Sequence, residues 1–356
     1  MTSSSATPIP PFDRHVLDID AAAAVERITA TTTRALTRVL RRRGLVVGVS
    51  GGVDSAVCLA LAVEAVGAGR VVALLMPEAD SDPESQARAQ RLCDDLGVEA
   101  VVEDIAPALT ALGCYARRDA AVRRLVPDFG PGWRLKITLA QGLLDTDRVS
   151  WFDLTVADPD GRLATARMPN DVYLEVVAAT NMKQRTRKLI EYTHADGRNH
   201  AVLGTPNRLE YELGFFVRGG DGLADVKPIS HLYKTQVYEL AAHLGLSHEI
   251  RSQPPSTDTY SLPQTQEEFY FALPYAEMDL LLWAWHHDVS PADAGAVVDL
   301  RPDQVERVYR DIVGKRRAAE RGLRDAVTVE HVDLSPAPSP STDPPAAPGS
   351  TNGAVG

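Results

Sequence analysis

Cysteine is scarce in this chain. Only Cys58, Cys93 and Cys114 occur in 356 residues, far apart and with no C-x-x-C pair. That argues against a disulfide framework or a thiolate zinc site, and a reducing compartment is expected. Long apolar runs are also lacking, because no window reaches the length of a membrane span. The opening MTSSSATPIPPF has no basic segment followed by an apolar one. No secretory signal is expected, therefore, and the expected location is the cytoplasm. Positive charge is in deficit: 37 Lys and Arg against 48 Asp and Glu leave a formal net charge of -11. Binding to nucleic acid through bulk charge is therefore not expected, and neither is a membrane partner.

The length instead suits a large α/β domain with additions. Residues 1–13 and 335–356 are rich in Ser, Thr and Pro and poor in large apolar residues, and both are expected to be disordered. The segment 14–330 between them reads as one domain. It opens with a helix over about Ile19 to Arg43 and continues with strand 45–49, helix 54–67, strand 71–76, helix 84–96 and strand 98–104. A long helix around Asp171 to Thr193 precedes a further short strand, Ala201 to Leu203. Short apolar strands alternating with amphipathic helices predict a doubly wound parallel sheet. Residues 133–168 break the alternation. RLKITLA, RVSWFDLTVA and RLATARM, separated by turn signals such as ADPDGR, read as a small antiparallel meander. Residues 267–325 are helical again. SPADAGAVVDLRPDQVERVYRDI has the outline of a helix-turn-helix, but acidic residues stud its second helix, so a packing pair of helices is expected.

The chemistry concentrates in Ser50-Gly51-Gly52-Val53-Asp54-Ser55, between the first strand and a helix with apolar residues at Val53, Val57 and Leu61. Ligands of an open parallel sheet bind beyond the carboxyl ends of its strands, where free N–H groups at a helix start favour phosphate. Glycines let an anion approach the backbone, and Ser50 and Ser55 add hydroxyls. A glycine turn alone would be a plain connection. Asp54 alters that reading, since a carboxylate at a phosphate cradle repels its ligand unless a cation such as Mg²⁺ intervenes. No lysine follows the second glycine, so the loop is not a Walker A.

SGGVDS after a strand resembles the pyrophosphate-binding loop of the ATP pyrophosphatase group, whose members cleave ATP between the α and β phosphates and adenylate their substrate. Downstream pieces narrow the resemblance to the NAD synthetases. VVALLMPEADSDPESQARAQRLCDDLGVE is similar to that family's second strand–loop–helix. NMKQRTRK, Asn181 to Lys188, resembles its Asn-x-Lys-x-Arg helix. Val202 to Gly245 follows GT-x-N-x-x-E, F-x-x-x-GDG-x-x-D and P-I-x-x-L-x-K, and PPSTD, Pro254 to Asp258, falls at the family's PP[ST]xD. The resemblance spans about Ala24 to Arg317. It implies an adenine nucleotide alpha hydrolase-like α/β fold.

Carried onto this chain, the resemblance implies ATP binding by Ser50, Gly51, Gly52, Val53, Asp54, Ser55, Leu75, Arg185, Thr205, Lys234 and Ser256. Leu75 would frame the adenine at a strand end, and Thr205 would lie near ribose and phosphates. Lys234 would supply a point charge and Ser256 a hydroxyl. Asp54 and Glu210 are the candidate Mg²⁺ ligands; a solvated helix glutamate is the plain alternative for Glu210. Asn181, Lys183, Asp221 and Asp225 would bind the acid substrate, although a turn role suits the two aspartates nearly as well. Adjacent residues on a helix point apart, so His286 and His287 are expected on a helix surface and not on a metal.

The reaction so implied joins ammonia to the carboxylate of deamido-NAD through an acyl-adenylate, with ATP as co-substrate and no covalent nucleophile. About 44 residues precede the first strand, too few for a glutamine amidase domain. Ammonia is therefore expected free or from a separate amidase chain, and a homodimer is expected by resemblance. Three features depart from the family. They are the 133–168 segment, Gly219 and Leu223 in the glycine loop, and TDTYSLPQTQEEFYFALPY in place of an acidic run. They keep open an amide synthetase acting on another carboxylic acid, or a non-catalytic nucleotide-binding relative. Transfer RNA thiolation is disfavoured, since its cysteine pairs and basic patches are missing.

Overall fold

The computed structural model describes residues 11–140, 144, 151–255, 259–271 and 273–330. The expectations for residues 1–10, for the 335–356 tail and for Ser256 lie outside these. In chain order the elements begin with α1 (Ala21–Arg34), β1 (Leu45–Gly48), α2 (Val53–Val66), β2 (Val71–Leu75), α3 (Pro83–Leu96) and β3 (Glu99–Val102). Next come α4 (Ala106–Ala111), α5 (Cys114–Arg123), β4 (Arg134–Ala140), β5 (Trp151–Ala157), β6 (Leu163–Arg167), α6 (Asn170–Arg198) and β7 (Ala201–Leu203). The last are α7 (Arg208–Leu213), α8 (Lys234–His243), α9 (His248–Ser252), α10 (Tyr275–His286), α11 (Pro291–Val298) and α12 (Pro302–Leu323).

Helix ends follow local chemistry. Asp20 caps α1 by accepting from Ala23 N at 3.0 Å, and α1 runs on into a wider turn over Ala35–Val39. Asp82 caps α3, with Pro83 preset for the first turn. Gly97, at φ 63°, ends that helix in the left-handed region. Helices α4 and α5 were not foreseen in the sequence, because α5 carries little periodic apolar signal in CYARRDAAVR.

Strands β3-β2-β1-β7 form a parallel sheet in that order, with Val46 beside Val72 on one side and Val202 on the other. Leu45, Val46 and Val47 are fully buried, each contributing about 1.5–3 kcal/mol relative to exposure. Both faces are covered, so the strands read as continuous apolar runs and not as alternation. Leu45 and Val47 pack into a core with α1, α2 and α8; Val46, Val72 and Val202 pack against α4, α5 and α6. The chain leaves β1 for β2 on one side and reaches β7 on the other. A crevice therefore opens at the carboxyl end of β1, where SGGVDS lies.

Strands β4-β5-β6 make a separate antiparallel sheet between α5 and α6 in sequence. Its inward residues Leu135, Ile137, Leu154 and Val156 pack with Val172 and Val176 of α6 and with Tyr260. Helices α10–α12 join α7 in another core, and Val305, Val308 and Ile312 of the would-be recognition helix are buried in it. That is the expected packing pair. Residues 11–323 lie within one compact unit; in the second unit, the described residues 324–330 carry no helix or strand. Among the described residues no helix is long and apolar enough to cross a membrane.

Candidate active site

A cavity of about 930 Å³ opens over the carboxyl ends of β1 and β2, and all of Ser50 to Ser55 line it. Gly51 has φ 84°, and a Cβ there would meet Ser85 O at 2.3 Å, so only glycine fits between the loop and α3. Ser55 Oγ donates to Gly52 O at 2.9 Å and lies 3.1 Å from Ser50 Oγ. These bonds hold the loop's shape before any ligand arrives.

Four segments bring charge together at the start of α2. Lys234, first residue of α8, is 1% exposed, and its Nζ pairs with Asp54 Oδ2. Asn207 donates from Nδ2 to Asp54 Oδ1 at 3.1 Å. The same asparagine caps α7 in a reciprocal box: Glu210 N donates to Asn207 Oδ1 at 3.2 Å, and Asn207 N donates to Glu210 Oε2 at 3.0 Å. The solvated-glutamate reading of Glu210 does not hold, since it is 8% exposed. Burial first, then the charge of Asp54, push its carboxyl up to about 8, and Lys234 only partly opposes them. For Lys234 burial works to lower the pKa, but Asp54 and Glu210 together hold it above its ordinary value. Asp279, fully buried, seats α8 by accepting from Lys234 N at 3.2 Å and Thr235 N at 2.7 Å.

Leu75, Thr205, Asn181 and Asp221 also line the cavity. Asp221 accepts from Val217 N at 2.7 Å and so also holds its own turn. Three expected site residues do not reach the cavity lining. Arg185 is exposed and donates from Nε to Arg218 O at 3.1 Å. Two residues along the helix, about 200° of rotation, Arg187 turns toward the cavity instead. Lys183 is fully buried behind the wall, where its Nζ donates to Glu78 Oε1 at 3.0 Å, Asp80 Oδ2 at 2.6 Å and Thr259 O at 2.7 Å. Asp225 accepts from Val202 N at 2.8 Å and anchors β7.

Several cavity residues escaped sequence reasoning. Glu191, on α6, lies beside Gly48 and pairs with Lys188 at 2.6 Å. Arg88, on α3, donates to Ser85 Oγ at 2.8 Å, while its Nε is buried with no partner among the described residues. Its spacing of three from Ser85 was the one available signal. Tyr260 to Gln266 form another wall. His286 and His287 are half-buried and not on an open surface; one contacts Glu212 at 2.7 Å and the other stacks on Trp283. All three cysteines are buried and free. Burial pushes the Cys93 thiol up to about 11 and raises the other two, so none is an activated nucleophile.

Comparison with known proteins follows this geometry. The NH(3)-dependent NAD(+) synthetase of Rhizobium meliloti (strain 1021) is 59% identical over 307 residues, covering 86% of this chain and 91% of the relative. That of Mesorhizobium japonicum is 50% identical over 304 residues, covering 85% and 95%. Among solved structures, NMN synthetase from Francisella tularensis superposes with TM-score 0.59 at 22% identity, over 87% of this chain and 99% of that one. The NH3-dependent NAD synthetase of Campylobacter jejuni superposes at 0.55 and 20%, over 88% and 100%. At such identities these two speak for the α/β fold. The NAD synthase family model matches residues 25–125 and 155–317, and with the relatives' identities this establishes that the chain belongs to the NAD synthase family.

Proposed function

We propose that the enzyme converts deamido-NAD and ammonia to NAD, with ATP as co-substrate and AMP and pyrophosphate as products. The observation that carries this is the convergence of Asp54, Lys234 and Glu210 beside a preformed glycine loop; the names of relatives at 50–59% identity support it.

The substrate carboxylate attacks the α-phosphorus of ATP, and the bond to the bridging oxygen breaks as pyrophosphate leaves. Ammonia then attacks the acyl carbon, the bond to AMP breaks, and the extra proton passes to solvent. The backbone N–H of Gly51 and the start of α2 would hold the leaving pyrophosphate, while Ser50 N and Gly52 N donate to Ser55 Oγ and Ser50 Oγ within the loop. Lys234 would neutralise charge that builds on it. Arg88 and Arg187, on the same cavity, would add further cations along the triphosphate. Thr205 and Leu75 would orient ribose and adenine. Asn181 and Asp221 would face the acid substrate. Each group works by position and charge, as suits transfer through an anionic transition state.

Mg²⁺ fits the donor set. Burial and the charge of Asp54 hold the Glu210 carboxyl above its ordinary value, and Asp54 shares one lysine with it. The hard carboxylate oxygens of Asp54 and Glu210 would hold Mg²⁺. Bound there, the ion would screen the phosphates and let Glu210 ionise. A homodimer, a cytoplasmic location and ammonia taken free or from a separate amidase chain complete the reading.

The test incubates purified protein with Mg-ATP and ammonia, with and without deamido-NAD, and follows AMP and NAD. NAD and AMP appearing together support the reading. AMP with a different carboxylic acid but none with deamido-NAD would overturn it. Asp54→Asn should abolish turnover, and full activity in that variant would refute the metal role. Elution at monomer size with all substrates present would count against the dimer.

A further inference from the structure

Two departures from the family pattern meet in space. The family match passes over residues 126–154, which hold β4 and most of β5. The other departure, the run after PPSTD, supplies the wall Tyr260 to Gln266. Strand β4 is the edge of its sheet, with β5 on one side only. An edge strand leaves every second residue's N–H and C=O unpaired. On β4 three of those groups, on Leu135 and Ile137, are met by the wall. Leu135 N donates to Ser261 Oγ at 3.0 Å, Leu262 N donates to Leu135 O at 3.0 Å, and Gln264 Nε2 donates to Ile137 O. Beneath them Tyr260 packs with Leu135 and Ile137, and its ring lies 5.9 Å from Phe269. Thr259 O receives the fully buried Lys183, which ties the same segment to the loop after β2.

We infer that the inserted strand β4 is a dock that holds Tyr260–Gln266 as a fixed wall of the cavity, and that this wall keeps water from the acyl-adenylate. The inference rests on the reaction just proposed. Its chemical content is a competition. Water attacking the acyl carbon forms a C–O bond to its own oxygen, expels AMP with the electron pair of the broken C–O bond and gives its proton to solvent. The acid returns unchanged, and ATP is spent as AMP and pyrophosphate. Ammonia attack gives the amide. A wall fixed by backbone bonds to a sheet edge and by a buried tyrosine excludes water during the lifetime of the intermediate. Ser261 and Gln264 are thus positioning residues that act through β4.

The test uses the full chain and three variants: Ser261→Ala/Gln264→Ala, Ser261→Thr, and Ile137→Ala, whose side chain packs under β4 and does not line the cavity. Two readouts are taken, AMP formed per NAD at limiting ammonia and hydrogen exchange at the Leu262 amide. In the unaltered protein AMP and NAD should match, and the Leu262 amide should be protected. The double variant, by losing two bonds to β4, and Ile137→Ala, by loosening the packing beneath it, should raise AMP per NAD severalfold and speed Leu262 exchange by at least about tenfold. Ser261→Thr, which keeps the acceptor, should behave as the unaltered chain. Simple loss of stability lowers both products and leaves their ratio alone. An unprotected Leu262 amide in the unaltered protein, or an unchanged ratio in both loosened variants, overturns the dock. A protected Leu262 amide with no NAD from deamido-NAD would instead overturn the assigned reaction while the dock stands.

Discussion

Replacing Lys234 with methionine tests how the charged centre is balanced. The ammonium is 1% exposed, pairs with Asp54 and faces Glu210. Breaking a buried pair by removing one partner strands the other charge, at a cost of about 3–5 kcal/mol. Here Asp54 is the stranded group. Glu210, with its carboxyl near 8, still holds its proton at neutral pH and adds little repulsion. In the variant the loss of Lys234 raises the Glu210 carboxyl further, so it gives up its proton only at higher pH, where two carboxylates then face each other with no cation. Lys234→Met should therefore cost more at about pH 9 than at about pH 6. Urea unfolding of the ligand-free protein at both values measures this. Lys234→Met/Asp54→Asn removes both charges and should recover at least about 2 kcal/mol, as non-additivity of a contacting pair. Mg²⁺ added to Lys234→Met should restore part of the loss. A cost below about 1 kcal/mol, as for a surface pair, or strict additivity in the double variant, would refute the reasoning.

Other perturbations have equally definite signs. Because the folded Glu210 carboxyl lies near 8 against an ordinary 4.5, the folded chain holds a proton there that the unfolded chain has lost. Stability of the ligand-free protein should fall between those values by up to about 1.4 kcal/mol per pH unit; Glu210→Gln should flatten that slope in unfolding curves across the window. Gly51→Ala, at φ 84° and with Ser85 O in the path of the new Cβ, should lower stability by about 1–3 kcal/mol and raise KM for ATP; an unchanged melting temperature would contradict the close packing. Arg88→Ala should raise KM for ATP and weaken product inhibition by pyrophosphate about ten- to a hundredfold, the effect of a charged hydrogen bond of roughly 1.5–3 kcal/mol, with Arg88→Lys intermediate; unaltered inhibition would remove Arg88 from the phosphate path.

Much of this molecule is written in short windows of chain. The apolar runs of β1, β2, β3 and β7, the helical spacing of α2 and the turn signals around the antiparallel sheet all express preferences of ten or twenty neighbouring residues, and local geometry obeys them. The glycine loop was legible for the same reason: a strand, two glycines and a helix start lie within a dozen residues, and Asp54 among them sets the loop apart from a plain turn. Side-chain destinations were not legible. Arg185 and Arg187 belong to one motif, and only the rotation of α6 against the sheet turns one outward and the other to the cavity. Lys183 and Asp225 have suitable chemistry for a substrate, yet packing commits them to Thr259 and β7. Asp54 meets Lys234 across 180 positions of sequence, and Leu135 meets Ser261 across 126. Such pairings come from the global packing of several cores, and no local preference encodes them. The sequence by itself determined most of the elements, the loop and the family; the tertiary structure decided which charges share a buried centre and which distant segment walls the cavity beside it.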